Sequence, residues 1–249
     1  MSDFENNIEK EIEMEMEMEM KMKMEMEMEM EMEIDGLGDI ALENTSVEEI
    51  DSENINLIFL GIDQSGSMDS FHNDMKHSLN EFKDALVNSK EAEEILVARA
   101  DFEDTIAIGG YKKISEFDTS FHAGGCTAMY DAVTEGTLKL KEYRQYLKDQ
   151  GVRVKAVFAV FSDGLDNASK SSFSEAKKSV AFLNDEEITT AFISFGGEAA
   201  KEAKDLGFRN ILDVTSSASE LRKAFDCLSK SVIESSKSVV ADGDDFFQI

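Results

Sequence analysis

Basic residues are scarce in this chain: 25 Lys and Arg stand against 53 Asp and Glu, a formal net charge of -28 over 249 residues. So acidic a protein repels nucleic acid and anionic lipid at long range, and neither is an expected partner. Cysteine is scarcer still, with only Cys126 and Cys227 and no paired spacing, which fits a reducing compartment better than a disulfide-stapled secreted domain. No uninterrupted apolar run approaches the length of a membrane span, and the opening Ser2-Asp3-Phe4-Glu5 has no apolar signal core. The expectation is a cytoplasmic protein that does not enter a membrane. Two nucleotide signatures are also missing: no Gly-x-Gly-x-x-Gly follows the first apolar run, and there is no Walker-type Gly-Lys-Ser/Thr. A nucleotide binder is therefore the weakest of the functional readings.

What is present divides the chain in two. Residues 1–54 hold 20 acidic and 3 basic residues, whereas residues 55–249 hold 33 and 22. From Met14 to Glu33 methionine alternates with a charged residue, nearly always glutamate, interrupted by Lys21 and Lys23. The period is that of a strand while Glu and Met favour helix, so pattern and propensity disagree. On a helix the methionines would spread over every face and bury none. Residues 1–54 are thus expected to be a disordered or transiently helical, low-complexity acidic tail without a specific role. Its crowded thioethers suit Cu(I) as a less favoured alternative.

Apolar residues gather in discrete blocks after residue 54, and residues 55–238 are expected to form the folded domain. Ile55–Ile62 and Val154–Phe161 read as strands buried on both faces. Phe71, Met75, Leu79, Phe82 and Leu86 recur at helical spacing. Glu94–Phe102 and Ile106–Phe117 predict a hairpin turning at Glu103-Asp104, followed by a helix over Ala128–Leu147. Phe173, Ala176, Val180 and Leu183 mark another helix, Thr189–Phe195 and Asn210–Val214 two more strands, and Leu221, Phe225, Leu228 and Val232 a closing helix. This alternation predicts an α/β fold: an open, doubly wound, mostly parallel, Rossmann-like sheet with helices on both faces.

Such a sheet places its site beyond the carboxyl ends of the strands. Three segments there are rich in oxygen: Asp63-Gln64-Ser65-Gly66-Ser67, Gly124-Gly125-Cys126-Thr127-Ala128 and Ser162-Asp163-Gly164. In an extended turn, residues at i, i+2 and i+4 point the same way, so Asp63, Ser65 and Ser67 can converge, joined by the Thr127 hydroxyl and the Asp163 carboxylate. An all-oxygen set of this kind suits a hard cation that keeps some of its water, Mg²⁺ or, close behind it, Mn²⁺. If the hydroxyls bind directly and the aspartates act partly through water, the ion stays electrophilic and favours an incoming carboxylate.

These segments carry a resemblance. Asp63-x-Ser65-x-Ser67-Met68, then Gly124-Gly125-x-Thr127-Ala128-x-Tyr130-Asp131-Ala132, then Ser162-Asp163-Gly164-x-Asp166-Asn167 resemble the metal-ion-dependent adhesion site of von Willebrand factor A domains, in that family's order. The resemblance spans about residues 55–238. It implies that Asp63, Ser65, Ser67, Thr127 and Asp163 are metal ligands, that the cofactor is Mg²⁺ or Mn²⁺, and that a protein partner supplies an Asp or Glu to the ion. It implies a binding module and not an enzyme, such as an adaptor or scaffold in a cytoplasmic complex. The compact form is similar to stand-alone bacterial and phage members, including tellurium-resistance-type proteins.

Plainer readings compete at several positions. Asp69 or Ser70 is a candidate helix cap. Cys126 reads as a small buried thiol rather than a nucleophile paired with His122, since neither has an orienting partner. His72 and His77 read as surface or cap positions, and Cys227, one place from an apolar stripe, as core. The enzymatic alternative is an Mg²⁺-dependent phosphohydrolase using Asp63 as nucleophile. It is weakened by Ser65 two positions later, where the best-known aspartate-nucleophile phosphatases place a second Asp, and by the lack of lysine in the matching loops. The ending, residues 239–249, leads from acidic residues into Phe246-Phe247-Gln248-Ile249. It reads as a frayed terminus or as a docking motif for a partner's groove or for the domain's own surface.

Overall fold

A computed structural model describes residues 44–50, 52–90, 95–196, 198–237 and 246–247. The methionine–glutamate repeat and the rest of residues 1–43 lie outside them. Strand β1 (Asn54–Asp63) leads through a 3₁₀ turn (Gly66–Phe71) into helix α1 (His72–Val87). Then come β2 (Ile95–Phe102), β3 (Ile106–Ile108), β4 (Lys112–Lys113), α2 (Met129–Asp149), β5 (Arg153–Ser162), α3 (Phe173–Asp185), β6 (Thr189–Phe195), α4 (Glu198–Leu206), β7 (Asn210–Val214) and α5 (Ala218–Lys237).

The strands form one sheet in the order β3-β2-β1-β5-β6-β7, with β4 also on β2. β2, β1, β5, β6 and β7 are parallel neighbours, and only β3 and β4 run antiparallel. This is the expected open, mostly parallel α/β architecture. β1 and β5 are central, so both of their faces are covered, which explains why they read as near-continuous apolar runs.

Alternation in the strands serves two cores. On one face Ile58, Leu60, Ile62, Val97, Phe161 and Ile193 meet Met75, Leu79 and Phe82 of α1 and Phe225 and Leu228 of α5. On the other face the Phe59 and Phe158 rings stack at 4.6 Å, and α2 crosses Phe59 so closely that a Cβ on Gly136 would stand 2.2 Å from its ring. Helix α3 starts at a capping box: the Glu175 N–H donates to Ser172 Oγ at 3.3 Å and the Ser172 N–H to Glu175 Oε2 at 2.6 Å.

The structure departs from the sequence expectation in several places. The strand expected over Ile106–Phe117 is broken into two short pieces: Ile106–Ile108 and Lys112–Lys113 both pair antiparallel with β2, but one residue out of register with each other, so the chain bulges between them. Beyond the break, Tyr111 and Phe117 reach the core from loop positions and Ile114 from a 3₁₀ turn (Ile114–Glu116). Helix α4 was not expected, since its inward residues Ala199, Ala203 and Leu206 give a weak apolar stripe. Residues 44–50, expected within the tail, are held to the domain. The Tyr111 N–H donates to Asn44 Oδ1 at 2.7 Å, the Thr45 N–H to Tyr111 O at 2.8 Å, and the Tyr143 hydroxyl to Thr45 O at 2.8 Å. At the other end Phe246 is fully buried in the core shared by α1 and α5, and its N–H donates to Asn210 Oδ1 at 2.9 Å. Its side chain therefore serves the domain's own surface.

Candidate metal centre

The end of β1 sits between β2 and β5, so the chain leaving Asp63 is flanked by the loops that follow both neighbours. Gln64 N donates to Phe102 O at 2.9 Å and Gly124 N to Gln64 O at 2.7 Å, while Gly66 N donates to Gly125 O at 3.2 Å. These bonds seat the Asp63–Ser67 turn against the Gly124-Gly125 loop. Gly125 has φ +66°, and a Cβ there would stand 3.0 Å from the Asp104 carboxylate, which accepts the Cys126 N–H at 2.8 Å. Both facts call for glycine at that position.

Around this scaffold the oxygen-bearing side chains form a chain of contacts. Asp63 is fully buried; its Oδ1 accepts the Ser65 N–H at 2.8 Å and its Oδ2 the Ser162 hydroxyl at 2.6 Å. The Ser65 and Ser67 hydroxyls lie 3.0 Å apart, and Ser67 Oγ donates to Asp163 Oδ1 at 2.8 Å. Thr127 is tied to the same β5–α3 loop: its carbonyl accepts the Asn167 N–H at 3.0 Å, its N–H donates to Asn167 Oδ1 at 2.8 Å, and its hydroxyl is 3.9 Å from where a Cβ on Gly164 would stand. Asp63, Ser65, Ser67 and Asp163 are thus in direct sequence of contact, with Thr127 beside the residue that follows Asp163.

The serines are not helix caps. Ser65 occupies the N-cap position of the 3₁₀ turn but makes no side-chain cap bond, and α1 has Phe71 at its N-cap position with no side-chain cap either. Neither Asp69 nor Ser70 fills the capping role that the sequence allowed them.

Burial pushes the Asp63 carboxyl above its ordinary value; hydrogen bonds from Ser162 and Ser65 oppose the rise and the Asp163 charge adds to it. Burial likewise raises Asp163, against its bond from Ser67. No lysine or arginine among the described residues forms an ion pair with either. Two partly desolvated carboxylates facing hydroxyl oxygens, without a basic neighbour, fit a hard divalent cation. Among the described residues no three His, Cys, Asp or Glu side chains gather as a metal-holding group, so a fit for a cation rests on mixed carboxylate and hydroxyl oxygens.

Several supporting residues lay outside the expected ligand set. Ser162 holds Asp63, and Asp104 holds the glycine loop. Asp131, 6% exposed, accepts the Ser171 N–H at 2.7 Å and the Lys170 N–H at 3.0 Å, fixing the β5–α3 loop to the start of α2. Asp166 accepts the Tyr130 N–H at 2.9 Å. Asp131 and Asp166 stood in the quoted motif, but the role of a loop tie shows only in three dimensions. Cys126, expected buried, is exposed, in a turn whose N–H bonds to the exposed Asp104 carboxylate. Cys227, expected in the core, is only half-buried. His77 lies on the surface, 3.2 Å from Glu81.

No protein-family model matches the sequence, and no curated protein matches it. Solved structures do. The chain is similar to the SpaC pilus adhesin of Lactobacillus rhamnosus GG, with TM-score 0.58 and 12% identity over 74% of this chain and 30% of that one. It is similar to the vWF domain of the type V pili tip protein Mfa5 from Porphyromonas gingivalis, with TM-score 0.52 and 12% identity over 72% of this chain and 95% of that one. The fold is von Willebrand factor A-like. This A-like domain is also similar to proximal thread matrix protein 1 of the mussel byssus, with TM-score 0.51 and 18% identity over 72% of this chain and 46% of that one. The A-like chain therefore spans less than a third of the SpaC adhesin's length. No described helix of it is long and apolar enough to cross a membrane.

Proposed function

We propose that this protein is a divalent-cation-dependent protein-binding module. Asp63, Ser65, Ser67, Thr127 and Asp163 hold Mg²⁺ or Mn²⁺, directly or through water, and an Asp or Glu of a protein partner completes the shell. The observation that supports this best is the run of contacts from Asp63 through Ser65 and Ser67 to Asp163, with both carboxylates facing hydroxyls and neither ion-paired with a base among the described residues. The ion would offset their repulsion and hold its remaining position open to a carboxylate. Pilus adhesin and pili tip domains share the fold, which agrees with binding rather than catalysis. In our reading the protein is not an enzyme, and acts as an adaptor or scaffold in a cytoplasmic complex, as the compact tellurium-resistance-type resemblance suggests.

Calorimetry of the full chain with MgCl₂ and MnCl₂ tests the metal, and capture of partners from native lysate with and without EDTA tests the binding. The expected result is saturable uptake of one ion, lost in Asp63→Ala, and partners lost in both the EDTA and the Asp63→Ala arms. Absence of uptake, or partners retained in EDTA, would overturn the reading. Turnover of a generic phosphate ester abolished by Asp63→Asn would replace it with a phosphohydrolase.

A further inference from the structure

We infer that the surface around this centre selects a partner whose metal-binding carboxylate is flanked by a large apolar side chain on one side and a basic side chain on the other. The inference rests on the metal-binding reading above and adds the partner's chemistry. It begins with strand order. Because β1 lies between β2 and β5, the residues beyond β2 and those beyond β5 stand on opposite sides of Asp63, each about 4.8 Å away in strand spacing.

The β5 side exposes large apolar side chains, with the Lys177 ammonium 5.8 Å over the Phe173 ring and the Tyr130 hydroxyl donating to Glu202. Only four large apolar side chains are exposed among the described residues, and two of them, Leu165 (48%) and Phe173 (36%), belong to the loop that also carries Asp163 and to the helix start it leads into. Tyr130 joins them: its ring is 5.9 Å from that of Phe173, edge to face, and its N–H bonds to Asp166 beside Leu165. Leu165 lies two residues after Asp163 and is the most exposed of the four. The β2 side is acidic. Asp104 is exposed and bonded to the Cys126 N–H, and Glu103 reaches to 3.7 Å from where a Cβ on Gly124 would stand. No lysine or arginine among the described residues forms an ion pair with Glu103 or Asp104. A partner laid across the centre from one side to the other thus meets acid, cation and apolar surface in that order. A complementary segment offers base, carboxylate and apolar residue, which also excludes uniformly acidic partners by repulsion at Glu103 and Asp104.

The test uses the full chain in Mg²⁺ and fluorescent Gly/Ser peptides carrying a single Glu. One peptide has Glu alone, two have Lys and Leu on opposite sides of it in either order, and one has a second Glu in place of Lys. One of the two mixed orders should bind at least about tenfold tighter than Glu alone, a difference of about 1.4 kcal/mol, and the peptide with a second Glu should bind more weakly than the mixed one. The double variant Leu165→Ser/Phe173→Ser should lose the preference for Leu while taking up Mg²⁺ as before, and Glu103→Lys should reverse the preference for Lys. Mixed peptides that bind no tighter than Glu alone, or preferences that survive these substitutions, would overturn the inference while leaving the metal reading intact. Failure of every peptide to bind in an Mg²⁺-dependent way would overturn both.

Discussion

The Ser162 hydroxyl donates to Asp63 Oδ2 at 2.6 Å, across the top of two adjacent parallel strands. This bond fixes one oxygen of the buried carboxylate while Ser65 N–H fixes the other, so the plane of Asp63 is set before any ion arrives. Ser162→Ala should leave the fold intact, at a cost of about 1–3 kcal/mol for the unpaired acceptor, and weaken Mg²⁺ uptake about tenfold or more, as loss of a partner that orients a ligand does. Denaturant melts and calorimetry on the same variant separate the two effects.

Cation binding should appear as stability. At a hundredfold excess over Kd, Mg²⁺ should add about 2.7 kcal/mol, and EDTA should remove it. In Asp63→Ala the melting temperature should be the same with and without Mg²⁺, read by differential scanning calorimetry.

Gly136 is set by packing. A Cβ there would meet the Phe59 ring at 2.2 Å, and that ring is stacked on Phe158, leaving it nowhere to retreat. Gly136→Ala should therefore destabilise the domain by about 1–3 kcal/mol or more, in spite of alanine's better helix propensity, as measured by urea unfolding.

Asp131 supplies a pH signature. Its burial raises the carboxyl, but the N–H groups of Ser171 and Lys170 outweigh that and hold it below its ordinary 3.8. A depressed carboxyl contributes stability that is present above the unfolded value and is lost as pH falls through the folded one. The stability gap between wild type and Asp131→Asn should be full at neutral pH and close progressively below about pH 4, as followed by urea melts across that range.

The C-terminal segment should behave as part of the domain. Phe246 is 1% exposed within the core, so Phe246→Ala should cost about 3–5 kcal/mol, seen as a lower denaturation midpoint. Removal of residues 242–249 should do the same.

Much of this was legible from residue order alone. Ile55–Ile62 and Val154–Phe161 announced the two central strands because a strand covered on both faces has no polar alternation to hide it. Asp63, Ser65 and Ser67 drew attention because oxygen-bearing side chains alternate just past a buried strand, although Ser67 lies in the 3₁₀ turn and not in extended chain. The expected strand over Ile106–Phe117 ran too long because the apolar Tyr111, Ile114 and Phe117 look like those of a strand, while the one-residue shift of register between Ile108 and Lys112 leaves no local mark. Helix α4 went unread because two of its three core contacts are alanines.

The sequence by itself determined the parallel α/β class and the oxygen-rich segments around Asp63, Thr127 and Asp163, since both follow from local periodicity and residue chemistry. Only the tertiary structure decided that Ser162 grips Asp63, that Asp131 ties down the loop after β5, that Cys126 faces solvent, and that Phe246 closes the core far along the chain from its neighbours. Those facts depend on which strands lie side by side. Strand order is set by long-range burial and loop closure, and no local pattern encodes it.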